Sequence, residues 1–189
     1  MPGKIISTQY VSLDGVMEDP VGMEGSGLGN WTGPFTRGPE GDQFKVAELF
    51  AAKALIFGRV TYDAFAAVWP TVNDEAGYAA RMNSLPKYLA SSRAGQGAWA
   101  NTRALGADLV ADAKRVKEEI EGEILIFGST SIIHQLQAHG LIDEYRLMIY
   151  PTILGRGKPL FAPGGQLRLS LIENRQFGDG IVLLRYAPV

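Results

Sequence analysis

The sequence predicts an α/β fold built on a mostly parallel sheet that ends in an antiparallel hairpin. Three observations carry this. Short apolar runs of strand length alternate with segments of helical period along residues 4–150. Two of the runs end at a glycine that leads straight into a helical pattern. Two β-rich segments then flank Gly178-Asp179-Gly180 with no helix between them. A chain of 189 residues suits one domain over 1–189, and 46% hydrophobic residues supply enough apolar mass for its core.

Lys4–Ser12 is rich in β-branched and aromatic residues and reads as the first strand. Residues 13–41 form a long Gly- and Pro-rich stretch without period, which in a compact domain is usually functional. Asp42 is placed to cap a helix running through Phe44, Ala47 and Phe50. Residues 54–57 read as a buried strand closed by Gly58, and 59–67 as a helix ended by Pro70. Residues 73–84 are ambiguous and partly helical, and 86–90 are a strand. The clearest helix is 108–122, with Leu109, Ala113, Val116 and Ile120 on one face. Glu123–Phe127 is a strand, 130–139 a helix with Gly140 just past its end, and 145–150 a strand. Residues 168–176 and 181–186 make the closing hairpin.

Composition narrows the chemistry. There is no cysteine, which removes disulfides, thiolate metal sites and a Cys nucleophile. The two histidines, His134 and His139, weigh against a His-rich metal site, and His134 is expected at a surface or interface. A net charge of -2 gives no pull toward nucleic acid or anionic membrane. The N-terminus lacks a basic segment followed by an apolar run, and nothing approaches the about 18 apolar residues of a membrane span, so a cytoplasmic protein is expected. The Gly-x-Gly-x-x-Gly fingerprint, the P-loop and the Gly-x-Ser-x-Gly elbow are all absent.

Two strand-turn-helix junctions remain. In Leu55-Ile56-Phe57-Gly58-Arg59-Val60-Thr61 a buried strand stops at a glycine and a helix starts with a cation and a hydroxyl. Helix starts carry unpaired N–H groups and partial positive charge, which suit phosphate, and Gly58 lets a ligand approach the backbone. Leu125-Ile126-Phe127-Gly128-Ser129-Thr130-Ser131-Ile132 repeats the pattern. Each turn alone also reads as simple chain reversal. Together, at the carboxyl ends of strands, they can hold a pyrophosphate-bearing cofactor. Ser91, Ser92 and Arg93, after a third strand, suit a ribose 2′-phosphate and so favour NADPH over NADH, although Arg93 also reads as a plain loop charge.

These residues resemble a known pattern. Ser12-Leu13-Asp14-Gly15, Gly58-Arg59-Val60-Thr61-Tyr62, Gly128-Ser129-Thr130-Ser131, and Asp143-Glu144 through Pro151 to Leu154-Gly155-Arg156-Gly157-Lys158-Pro159-Leu160-Phe161 occur in the order seen in the dihydrofolate-reductase-like superfamily. The branch they resemble is the C-terminal reductase domain of the bifunctional riboflavin-biosynthesis deaminase-reductase. The resemblance implies a mostly parallel central sheet of about eight strands with helices on both faces, NADPH as hydride donor, a small pterin-, pyrimidine- or carbonyl-type substrate, and a homodimer. It implies that Gly58, Arg59 and Thr61 hold phosphate, that Ser91, Ser92 and Arg93 face the adenosine end, and that Gly128, Ser129, Thr130 and Ile132 cradle the pyrophosphate. Asp42 falls where folate reductases place their substrate-binding acid, and a carboxylate there can relay a proton. Asp14 is the other candidate catalytic and substrate-facing acid, and Trp31 a candidate pocket wall. Each also reads structurally: Asp42 as a helix cap, Asp14 as a turn residue, Trp31 as a loop anchor. Two positions depart from the pattern. Phe127 stands where riboflavin reductases carry an acid, and Ser129 replaces the second glycine of folate reductases. A non-catalytic NADPH-binding sensor on the same fold is the alternative expectation.

Overall fold

The computed structural model describes residues 2–92 and 97–189. Eight strands form one sheet: β1 (Lys4–Ser12), β2 (Ala52–Gly58), β3 (Lys87–Ala90), β4 (Thr102–Ala104), β5 (Glu123–Phe127), β6 (Glu144–Tyr150), β7 (Leu169–Phe177) and β8 (Ile181–Pro188). Their order is β4-β3-β2-β5-β1-β6-β8-β7. Pairing is parallel from β4 through β6 and antiparallel from β6 through β8 to β7. This is the expected mostly parallel sheet with its antiparallel terminal hairpin.

The helices are α1 (Gly38–Ala51), α2 (Arg59–Val68), α3 (Tyr78–Ser84), α4 (Leu109–Glu119) and α5 (Thr130–Ala138), with a 3-10 turn at Trp69–Thr71. They cover both faces. Leu109, Ala113 and Val116 of α4 and Ile132, Ile133 and Leu136 of α5 pack with Ile5, Ile56, Ile124 and Ile126 on one side. Leu49 of α1, Tyr62 of α2 and Met82 of α3 pack with Ile6, Leu55, Phe57 and Leu125 on the other. Adjacent residues such as Ile5 and Ile6 serve opposite faces, so the central strands are apolar throughout, as a doubly covered parallel sheet requires.

One expectation needs correction, and two features go beyond what the sequence shows. Helix α1 begins at Gly38, four residues before Asp42, so Asp42 lies inside the helix and does not cap it. Pro39 in the first turn, with its fixed φ, starts the helix without a side-chain cap on Arg37. Strand β4 has no counterpart in the sequence reading; among the described residues its three residues pair with β3 at the sheet edge. The long Gly-rich stretch packs on the sheet. Trp31 and the half-buried Leu28 and Phe35 join Met148, Tyr150, Phe177, Ile181 and Leu183 in a third core that fastens it to the sheet. Among the described residues no helix is long and apolar enough to cross a membrane.

Candidate active site

The two glycine turns meet. Gly58 ends β2 in extended backbone and precedes α2, while Gly128 follows β5 with φ 55° and a cis peptide to Ser129. A Cβ on Gly58 would lie 2.5 Å from Ser129 Oγ, and one on Gly128 would lie 2.5 Å from Thr61 Oγ1. No side chain caps the start of α2 or α5, whereas Asp108 caps α4 by accepting from the Ala111 N–H. Two helix starts free of internal caps thus converge on a seam lined by backbone and hydroxyls. That is the donor set a diphosphate needs. A cleft of about 290 Å³ runs from this seam along Arg59, Val60 and Ala90 to Ser91 and Ser92, with Ser131 at its side.

Several side chains hold the seam in shape. Gln9, buried on β1, donates from Nε2 to the Ile126 carbonyl at 2.8 Å and accepts from the Gly128 N–H at 3.3 Å. Sequence reading missed it. A buried amide in an apolar strand must find partners, and here they fix the second turn. Arg59 donates from Nε to Ser91 Oγ at 3.1 Å, ion-pairs Asp63 at 3.4 Å and lies over the Tyr62 ring. Arg59 and Ser91 therefore line one wall together, and Ser92 lies beside them. Arg93 lies outside the described residues. Ser129 and Ser131 hydroxyls are 2.9 Å apart. Thr130 opens α5. Ile132 is buried, its N–H donates to the Ser129 carbonyl, and its side chain reaches under Gly58. It is the floor of the seam and offers no ligand donor.

The substrate-side candidates separate. Asp14 accepts from Ser12 Oγ at 2.6 Å and from the Gly155 and Leu154 N–H groups at 2.7 and 3.1 Å. The Ser12 hydroxyl, then these amides, hold its carboxyl down to about 2. It ties the first turn to the 154–155 turn, and its turn reading is the one the geometry favours. Trp31 is buried, donates from Nε1 to the Glu18 carbonyl at 2.9 Å and stands edge-on to Tyr150, contacts that anchor the loop. Asp42 is 59% exposed and ion-paired to Arg37 at 2.8 Å, and Arg37 also donates to the Tyr10 hydroxyl. His134, half-buried, shares a hydrogen bond with the Leu160 carbonyl and joins α5 to that loop.

The inward face of α1 carries residues that periodicity alone assigns to solvent. Lys45 is buried, donates to Thr8 Oγ1 at 2.9 Å, pairs with Glu48, and sits 5.4 Å from the centre of the Phe127 ring and 5.5 Å from that of Tyr10. Thr8 also donates to Glu48 at 3.0 Å. Phe127 immediately precedes Gly128, so this ammonium stands beside the residue that leads into the second turn.

The family model of the RibD C-terminal domain matches residues 3–183. The uncharacterized protein YyaP of Bacillus subtilis (strain 168) is 34% identical over 80 residues, 42% of this chain and 43% of that protein. The matched segment thus spans less than half of that curated relative. Among solved structures, a pyrimidine reductase-like protein of Corynebacterium diphtheriae superposes with TM-score 0.68 at 16% identity, over 100% of this chain and 92% of its own. Dihydrofolate reductase from Enterococcus faecalis, complexed with NADP(H), gives TM-score 0.57 at 11% identity over 98% and 96%. At these identities the two structures establish the dihydrofolate-reductase-like fold.

Proposed function

Since this chain belongs to the RibD C-terminal domain family, we propose that it is an NADPH-dependent reductase acting on a small pterin-, pyrimidine- or carbonyl-type substrate. The observation that carries the reading is the meeting of the Gly58 and Gly128 turns at two helix starts without side-chain caps. The residues fit the cofactor. The seam would take the diphosphate through backbone N–H groups and the Thr61 and Ser129 hydroxyls, and Arg59 with Ser91 and Ser92 would face the phosphorylated adenosine end. When bound, the reduced nicotinamide supplies a hydride to a C=N or C=O carbon, becoming oxidised as the substrate nitrogen or oxygen takes up a proton. We assign the proton-handling end to α1. Lys45 stands beside the Tyr10 and Phe127 rings, and a substrate would enter near the Arg37–Asp42 pair in the first turns of that helix. Asp14, held ionised by three donors, serves the scaffold.

The test is a fluorescence titration of the three tryptophans with NADPH and with NADH. Saturable quenching with NADPH preferred is expected. Arg59→Ala removes a charged contact to phosphate and raises the NADPH Kd by about 10- to 100-fold. An unchanged Kd in that variant sinks the assignment. Binding without turnover on any pterin or carbonyl substrate would mark a sensor.

We propose that the partner is a second copy of the chain, joined through β7. Among the described residues this edge strand pairs with β8 alone, and its register slips between Leu171 and Glu173. Leu171 and Ile172 are both left about half exposed, next to exposed Leu167. Light scattering should give twice 20.4 kDa, and Ile172→Asp should give the single-chain mass.

A further inference from the structure

The Gly-rich loop has a carboxylate at its tip, and that carboxylate lies on the cofactor seam. Thr61 Oγ1 donates to Glu24 Oε1 at 2.6 Å. Thr61 is the hydroxyl against which a Cβ on Gly128 would collide, so Glu24 reaches the point where the two turns meet. The contact is built. Asp19, 1% exposed, accepts from the Glu24 N–H at 2.8 Å, the Ser26 N–H at 3.0 Å and the Ser26 hydroxyl at 2.7 Å. The Ser26 hydroxyl in turn accepts from the Leu28 N–H. The base of the loop is fastened to residues 156–158: Arg156 donates to the Gly27 carbonyl, Lys158 ion-pairs Glu18, and the Lys158 N–H donates to the same carboxylate. Gly25, Gly27 and Gly29, all with φ between 73° and 76°, give the chain the bends that bring Glu24 back over α2.

We infer that Glu24 is the resident anion of the cofactor seam, and that residues 19–29 form a lid that a dinucleotide must displace before its diphosphate can take the Thr61 hydroxyl. The inference rests on the cofactor reading above. A carboxylate and a diphosphate cannot share one hydroxyl donor at close range without strong repulsion. A helix start favours either anion, so the carboxylate and the diphosphate compete for one place. Burial raises the Glu24 carboxyl above its ordinary value, and the neighbouring Asp19 charge adds to this, against the Thr61 hydrogen bond and Lys158. The contact therefore comes at an electrostatic cost that a better-placed ligand relieves. The lid also explains why the loop is anchored firmly at its base, through Asp19 and residues 156–158, while Glu24 reaches the seam.

Glu24→Gln keeps the shape and removes the charge, and Glu24→Ala removes the contact. Calorimetric titration of the wild type and both variants with NADPH and with inorganic pyrophosphate is the experiment. Hydrogen exchange over residues 19–29 is read with and without pyrophosphate. Both variants should bind each ligand about tenfold more tightly, mostly through faster association. In the wild type, exchange over 19–29 should rise when pyrophosphate binds. Wild type that binds NADPH while the variants bind it equally or more weakly overturns this inference alone, because Glu24 would then be gripping the cofactor. Failure of all three proteins to bind either ligand overturns the cofactor reading together with this one. Melting curves within a degree of the wild type certify that the variants are folded.

Discussion

Arg146→Ala should lower the stability of the folded chain by about 3–5 kcal/mol at pH 7, the range for leaving buried charges uncompensated. Arg146 lies on β6 and is 6% exposed. It donates to Glu123 at 2.7 and 3.0 Å and to Glu144 at 2.8 Å, and stands 3.5 Å from Glu48. Truncation removes the cation that three carboxylates share. Glu48, whose side chain is 1% exposed, keeps Lys45 and the Thr8 hydroxyl, and Glu144 keeps Arg185. The pH dependence follows. Burial by itself raises the Glu144 carboxyl, but hydrogen bonds from Arg146 and Arg185 override it and hold the group below its ordinary value. A carboxyl lowered in the folded state stabilises above the pKa of the unfolded chain and loses that contribution as pH falls through the folded value. The gap between wild type and Arg146→Ala, read as urea midpoints, should be widest near neutrality and narrow below about pH 4. A gap of constant size would assign the loss to packing of the arginine stem and take the charge network out of the account.

That network marks the limit of what patterning reveals. Strand β5 falls on its expected bounds because nothing in Glu-Ile-Leu-Ile-Phe competes with a buried parallel strand. Both glycine turns are legible because a glycine between an apolar run and a helical period has few other uses. Lys45, Glu48 and Arg146 are invisible to the same reasoning, since charge ordinarily reports a solvated face. A usable signal was present in β6. An arginine in Tyr-Arg-Leu-Met-Ile-Tyr, a strand apolar on both sides, must bring carboxylates with it into the interior. Asp42 misled for a related reason. A carboxylate ahead of an apolar period resembles a cap, while Pro39, the residue that starts α1, leaves no side-chain hydrogen bond to read. Asp14, Trp31 and Glu24 owe their roles to contacts with segments up to 141 positions away, such as Gly155, and no local pattern encodes those.

The seam itself permits a test in which geometry is separated from backbone strain. Gly58 has φ -82° and ψ 159°, values any residue adopts, so Gly58→Ala introduces no torsional penalty. Its only effect is a methyl group 2.5 Å from Ser129 Oγ, 2.9 Å from Ser129 Cβ and 3.3 Å from Ile132 Cδ1. Relief requires Ser129 to move, and with it the start of α5 relative to α2. NADPH affinity should fall about 100-fold, the scale of loss when converging groups are displaced by about 1 Å. Stability should fall by about 1–3 kcal/mol, as for other overpacked sites. Gly128→Ala adds a left-handed φ of 55° to its clash with Thr61 Oγ1 and should lose more stability as well as binding. Gly165→Ala, where the added Cβ meets nothing within 4 Å, should change neither. The decisive variant is the double change Gly58→Ala with Ser129→Gly. Deleting the Ser129 side chain removes the two closest atoms the new methyl would strike, so the turns can close again. Affinity in the double variant should recover part of the loss, minus the contribution of one hydroxyl, about tenfold. If the double variant binds no better than Gly58→Ala alone, the approach of the two turns is not what grips the diphosphate, and the cofactor must be held elsewhere along the cleft.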